Sequence, residues 1–192
     1  MKKISLFLAA LMLLSLLAGC GQAEETPDTT SPAVFVTIPT LEGGAAEVDT
    51  TDMTFYELDS GISYYGPGSM KESKTDAMTA YMDSGFFLFM VIEETKDTSA
   101  LGDASLEDYG KLLTDRNNLD PCTVDRYGNL ATCYVADSIT GDRDFFYYVT
   151  VHETAESFFL VQFVCPGEVA DKHVDSMAQW SSTFSYTKPA EE

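Results

Sequence analysis

Basic residues and histidine are scarce in this chain. Its 192 residues hold eleven Lys and Arg and two His against 31 Asp and Glu, a formal net charge of −20. That balance excludes the positive footprint that nucleic-acid phosphates demand, and with it broad adhesion to anionic lipid. The carboxylates are scattered rather than grouped at ligand spacings, so they read first as a solvated surface. His152 and His173 stand alone: neither belongs to a His-x-x-x-His or His-Glu-x-x-His pattern. There is no Gly-x-Ser-x-Gly nucleophile elbow and no phosphate-binding glycine loop. These absences leave no expected catalytic residue, metal ligand or cofactor, and the chain reads as a non-enzyme.

What is present begins at the first residue. Lys2 and Lys3 precede an apolar run, Ile4 to Leu17, that is too short to span a bilayer convincingly and has the order of an export signal. The run ends in Leu17-Ala18-Gly19-Cys20, which resembles the lipobox of bacterial lipoproteins. The resemblance implies a signal peptide over residues 1–19, cleavage before Cys20, and a diacylglycerol thioether on its thiol. With a second acyl chain per lipid the anchor becomes stable, where one chain holds only marginally. The expected location is the extracytoplasmic face of the cell membrane. Loss of Lys2 and Lys3 leaves nine basic residues against 31 acidic ones.

Residues 20–52 read as a tether. They are rich in Thr, Pro, Ala, Gly and acidic residues, and most of the stretch cannot bury enough apolar area to fold. Ala33 to Ile38 interrupts it with an apolar run. That run is expected to dock as an extra edge strand on its own domain, with recruitment of another protein by strand addition as the alternative. The folded domain is placed at 53–187, followed by a tail over 188–192.

Asp144 to Tyr186 organises the domain. Phe145 to His152 and Ser157 to Cys165 are aromatic and β-branched, suited to strands. With Thr154 and Ala155 as the central turn residues, Val151 opposes Phe158 and Val149 opposes Leu160. Both faces of both strands carry apolar residues, which places the hairpin near the sheet centre. A helix follows over Glu168 to Ser181, with Val169, His173, Met177 and Trp180 on one stripe. Thr183 to Thr187 reads as an edge strand. Upstream, hairpins are expected around Asp59-Ser60-Gly61, Asp83-Ser84-Gly85 and Tyr127-Gly128. Ser105-Leu106-Glu107-Asp108 resembles a capping box opening a helix that ends at Asn117-Asn118. Hairpin connections make the sheet largely antiparallel, and the class α+β.

Gly61-Ile62-Ser63-Tyr64-Tyr65-Gly66-Pro67-Gly68 resembles the early glycine- and proline-marked strand of PsbP-like and Mog-type domains. Tyr147 to Val164, a helix, and Trp180-Ser181-Ser182-Thr183-Phe184 resemble their C-terminal strand–strand–helix–strand unit. The resemblance implies an antiparallel sheet sandwiched between helices. Members include accessory subunits of larger complexes, a nuclear GTPase-binding protein and bacterial lipoproteins. The group shares no catalytic constellation, so no functional residue is carried over.

Three cysteines remain beside Cys20. If Tyr127-Gly128 is a two-residue turn, Cys122 lies opposite Cys133 and a bridge is feasible. If Asp125 to Gly128 is a type I turn with a glycine bulge, Cys122 faces Thr132 instead and a bridge is strained. The expectation is a Cys122–Cys133 disulfide. Cys165 sits at a predicted helix N-terminus, where a thiol gains reactivity, but it has no basic sequence neighbour and reads as a small apolar residue. Asp137, Asp142 and Asp144 flank one loop without the EF-hand spacing. The functional expectation is a membrane-anchored module that binds a protein partner or serves as an accessory subunit. The alternative is a carrier of a small or apolar ligand in a groove between sheet and helix.

Overall fold

The computed structural model describes residues 34–189 apart from 42, 74, 97–100 and 139–140. Cys20, the signal segment and the first part of the expected tether, residues 20–33, lie outside the described residues.

The hairpin read as the organiser is the middle of the largest sheet. β10 (Asp144–Glu153) and β11 (Ser157–Pro166) pair antiparallel over most of their length. β7 (Leu88–Thr95) flanks β11, and β9 (Leu130–Asp137) flanks β10. Short outer strands complete a seven-stranded order of β5-β6-β7-β11-β10-β9-β8. Here β5 is Lys71–Glu72, β6 is Ala80–Asp83 and β8 is Thr123–Val124. Every residue of β11 is buried, as its apolar character on both faces requires.

The turn register differs from the expectation. Val151 faces Leu160, Val149 faces Gln162 and Tyr148 faces Phe163. The turn closes on Ala155 and Glu156, with Thr154 N–H donating to the Ser157 carbonyl. The Thr154 hydroxyl fixes this choice by accepting from the Glu156 and Ser157 N–H groups. Each partner moves by two residues, so every side chain keeps its face.

Those faces feed two separate cores. On one, Phe89, Val91, Phe159, Val161 and Phe163 pack with Met177, Ala178 and Trp180 of helix α2 (Ala170–Ser182) and with Ile62 and Tyr64. On the other, Met90, Ile92, Val149, Val151 and Leu160 pack with Leu106, Tyr109 and Leu113 of helix α1 (Leu106–Asn117). Tyr109 stacks on Phe158 with centroids 4.4 Å apart. The result is a sheet-dominated α+β fold, largely antiparallel.

Both helices start as their sequences dictate. The Ser105 hydroxyl accepts from Asp108 N–H at 3.1 Å while Asp108 Oδ2 accepts from Ser105 N–H at 3.3 Å, a complete capping box. Asn118 ends α1 in the left-handed region with φ 52°. α2 follows a 3₁₀ turn, Gly167–Val169, directly after Pro166. His173 sits against the rings of Phe86 and Phe87.

The final strand, β12 (Ser185–Tyr186), does not join the large sheet. It pairs with β4 (Ile62–Gly66), which also pairs with β3 (Thr54–Glu57), in a three-stranded sheet. The Thr183 hydroxyl steers the chain there by accepting from Tyr65 N–H at 2.8 Å. Gly61 allows the close approach. Its φ is +81°, and a Cβ on it would lie 2.0 Å from the Thr187 carbonyl oxygen.

The tether expectation is corrected over its second half. Phe35–Pro39 (β1) and Ala45–Asp49 (β2) form an antiparallel hairpin that stands as its own two-stranded sheet. The apolar run therefore docks on its own domain, but not as an added edge of the large sheet. Ile38 and Val48 are its buried residues. Gln179 Nε2 donates to the Asp49 carbonyl at 2.7 Å, and Leu41 N–H to the Gly128 carbonyl at 3.3 Å, pinning both ends.

Candidate functional site

Two surfaces follow from the unequal strand lengths. The first is a cleft. Pairing of β10 with β9 stops at Val151 and Leu130, and β10 runs on through His152 and Glu153. Beyond that point a hollow of about 420 Å³ opens, lined by Thr40, Leu41, Leu106, Asn129, His152 and Phe184 among others. Its walls come from the β1–β2 loop, the start of α1, the β8–β9 turn and the C-terminal strand.

His152 lines the hollow together with the ionisable Glu153 and Tyr186. The imidazole lies 4.7 Å from the Phe184 ring, and its Nε2 is 2.9 Å from Thr150 Oγ1. Burial lowers its pKa to about 4, against the opposing pull of the Asp125 carboxylate. The ring is therefore neutral near neutral pH and offers hydrogen bonding rather than charge. Thr150 is fully buried, so its hydroxyl is closed to any molecule in the cleft.

Asp125 holds the turn beside the cleft. Its carboxylate accepts from Tyr127 N–H, Asn129 N–H, the Asn129 amide and Tyr148 Oη, the last at 2.7 Å. Burial and this bond to a carboxylate push the Tyr148 phenol far above its ordinary range. Gly128 completes the turn with φ +81°.

The second surface is the outer edge of β9. Asp125 N–H donates to the Asn129 carbonyl, so Asn129 turns its backbone polar groups toward β8. Strand alternation turns those of Ala131, Cys133, Val135 and Asp137 the same way. β8 pairs only with Leu130 and Ala131. Its register extended back would put Pro121 opposite Cys133, and proline has no N–H to give. Beyond that point no strand among the described residues faces β9. Val135 is 60% exposed there, among the most exposed large apolar residues. Asp137 lies directly opposite Asp144. A hydrogen bond between the two carboxyls raises the pKa of Asp144.

The cysteines fall differently from the expected bridge. Cys122, Cys133 and Cys165 are free. The β8–β9 register puts Cys122 opposite Thr132, the glycine-bulge alternative. Cys122 packs into the α1 core and Cys133 into the α2 core, on opposite faces of the sheet. Burial raises Cys133 and Cys165 to about 11. Cys165 is almost wholly buried despite its place before α2. Among the described residues, no group of three or more His, Cys, Asp or Glu is placed to hold a metal ion, and Asp137, Asp142 and Asp144 form no such set.

Sequence reasoning found neither surface. The cleft assembles from four distant segments. The edge had one local signal, Pro121 just before a strand much shorter than its neighbour.

No protein-family model matches the chain, and no curated protein matches it. Similar solved structures include the cyanobacterial PsbP (CyanoP) of Synechocystis sp. PCC 6803. It is 10% identical over 71% of this chain and 93% of that one, with a TM-score of 0.43. Another is a protein of Bacteroides thetaiotaomicron VPI-5482, 11% identical over 73% of this chain, with a TM-score of 0.47. This chain spans 51% of its length.

Proposed function

We propose that this is a lipid-anchored extracytoplasmic protein whose domain acts as a protein-binding or accessory module. Cys20 carries the anchor, on the strength of the lipobox pattern. The large sheet with one helix core on each face is read as the PsbP-like and Mog-type sandwich. The observation that carries the binding role is the open edge of β9. Unpaired backbone groups there, beside an exposed Val135, form a template for another chain.

The test is site-specific photocrosslinking in the intact cell. A photoreactive residue at Val135 should yield one discrete protein adduct, and the same residue at exposed Glu57 on β3 should not. Absence of a Val135-specific adduct sinks the binding role. The anchor is tested separately: Cys20→Ser should abolish incorporation of labelled palmitate and release the protein from membranes.

The second reading, a small-ligand carrier, is favoured by one observation. The His152 cleft has a volume within the range of ligand sites, roughly 300–1,000 Å³. Native mass spectrometry of protein gently extracted from its membrane checks it. A bound mass of a few hundred daltons, absent from a Leu106→Trp variant, supports the carrier; a bare protein removes it.

A further inference from the structure

We infer that the occupant of the β9 edge is an extended peptide segment carrying a basic residue that lands beside Asp137 and Asp144. This rests on the binding role proposed above and adds the chemical class of the partner. Cys133, Val135 and Asp137 present their backbone groups outward. An incoming strand meets alternating donors and acceptors over that length, enough for main-chain recognition.

The side chains then select the partner. Residues 133, 135 and 137 share the α2 face of the sheet, as Cys133 packs into that core. Val135 gives an apolar contact in the middle of the edge. Asp137 gives a carboxylate at its end, directly opposite Asp144 on the neighbouring strand. Like charges directly opposite are unfavourable in a sheet, and Asp137 and Asp144 stand in that relation. A Lys or Arg on the added strand, opposite Asp137, supplies the missing counter-charge. Arg143 lies nearby in sequence and is exposed, yet the chain around the edge stays acidic.

Other occupants fit less well. A second copy would bring another chain of formal charge −20 to the same acidic edge. The chain's own residues 21–33 contribute Glu24, Glu25 and Asp28 and no basic residue. The tail segment lacks the cation that the edge requires, and a second copy meets repulsion between like net charges.

The test pans a phage-displayed library of random twelve-residue peptides against the full chain. Enriched peptides should alternate apolar residues and carry Lys or Arg toward one end. Synthetic copies should lose at least about tenfold in affinity to Val135→Pro, because main-chain bonds carry strand addition. Proline at an outward-facing edge position removes no bond to β10. The double change Asp137→Asn with Asp144→Asn should weaken binding about two- to fivefold, the value of an exposed ion pair. In the unaltered chain, bound peptide should slow exchange of the Cys133, Val135 and Asp137 amides, a readout independent of any variant's folding. Peptides that protect these amides without a basic preference overturn the partner class and leave strand addition standing. Peptides indifferent to Val135→Pro that leave the amides unprotected, or no enrichment, overturn both. Protection of the same amides in the chain alone, with a doubled mass in solution, assigns the edge to a second copy and overturns the inference.

Discussion

Thr150 and His152 project from the same side of β10, and the buried Thr150 hydroxyl lies 2.9 Å from the His152 ring nitrogen. The pair couples the cleft to the core, because His152 lines the cleft while its hydroxyl partner Thr150 is fully buried. The hydroxyl can serve a neutral ring as donor or acceptor, depending on the tautomer.

A pH dependence of stability follows. In the fold, burial depresses His152 from 6.5 to about 4. Above about pH 6.5 the ring is neutral folded or unfolded and contributes no slope. As pH falls below that value the unfolded chain binds a proton that the fold refuses. Stability is therefore lost progressively down to about pH 4, by an amount on the order of 1–3 kcal/mol. Urea titrations of the protein and of His152→Phe across this range should diverge, with the variant losing less. Parallel curves would show that the ring does not titrate between the two states.

The thiols should behave as three separate buried groups. Burial holds Cys122, Cys133 and Cys165 above the ordinary thiol range, so few are thiolates at neutral pH. Alkylation of the native protein is expected to be slow. Alkylation after denaturation without reductant should label all three, and mass spectrometry counts them. A Cys122–Cys133 bridge would leave only Cys165 labelled among them.

Gly61→Ala should destabilise the domain by about 1–3 kcal/mol, the cost of a non-glycine residue held at a disfavoured φ. The 2.0 Å approach to the Thr187 carbonyl adds a clash, so the upper part of that range is expected. Loss of unfolded-state entropy would favour alanine by at most about 1 kcal/mol, too little to reverse the sign. Chemical denaturation measures the change, and an unchanged midpoint would refute the close approach.

Tyr148→Phe should cost about 1.5 kcal/mol, the low end for a hydrogen bond to a charged group. The Asp125 carboxylate keeps its Tyr127 and Asn129 donors, which limits the loss. Asp125→Ala removes all of these bonds and should cost more than Tyr148→Phe. Equal effects of the two changes would mean that Asp125 does not organise the turn.

Much of the fold is legible in local pattern. The aromatic and β-branched runs at Phe145 to His152 and Ser157 to Cys165 locate the sheet centre, because buried strands need apolar residues on both faces. Ser105 and Asp108 locate the start of α1 through a chemistry that operates within four residues. The failures lie where a distant partner decides. Thr183 reaches Tyr65 and carries β12 to the small sheet, and no local composition signals that. The apolar run up to Ile38 reads as a docking strand but the stretch after it as polar tether, yet Ile38 and Val48 bury enough to seat both as a hairpin. The cysteine pairing turned on one residue of register, set by the turn closing with Asp125 N–H on the Asn129 carbonyl. The surfaces were least visible of all, since a cleft and an open edge are defined by what fails to pair.

The contact between β4 and β12 also sets the order of assembly. Its residues are more than 120 positions apart in the chain, so closing it is a late event with a long loop to draw in. While the chain is being made, β3 and β4 exist long before the strand that completes their sheet. Ile62 and Tyr64, fully buried at the end, must wait with an unpaired edge until the last residues arrive. A chain interrupted near Ser182 would retain both central strands and both helices yet leave that layer open, which makes the C-terminus the latch of the domain and its loss a route to aggregation.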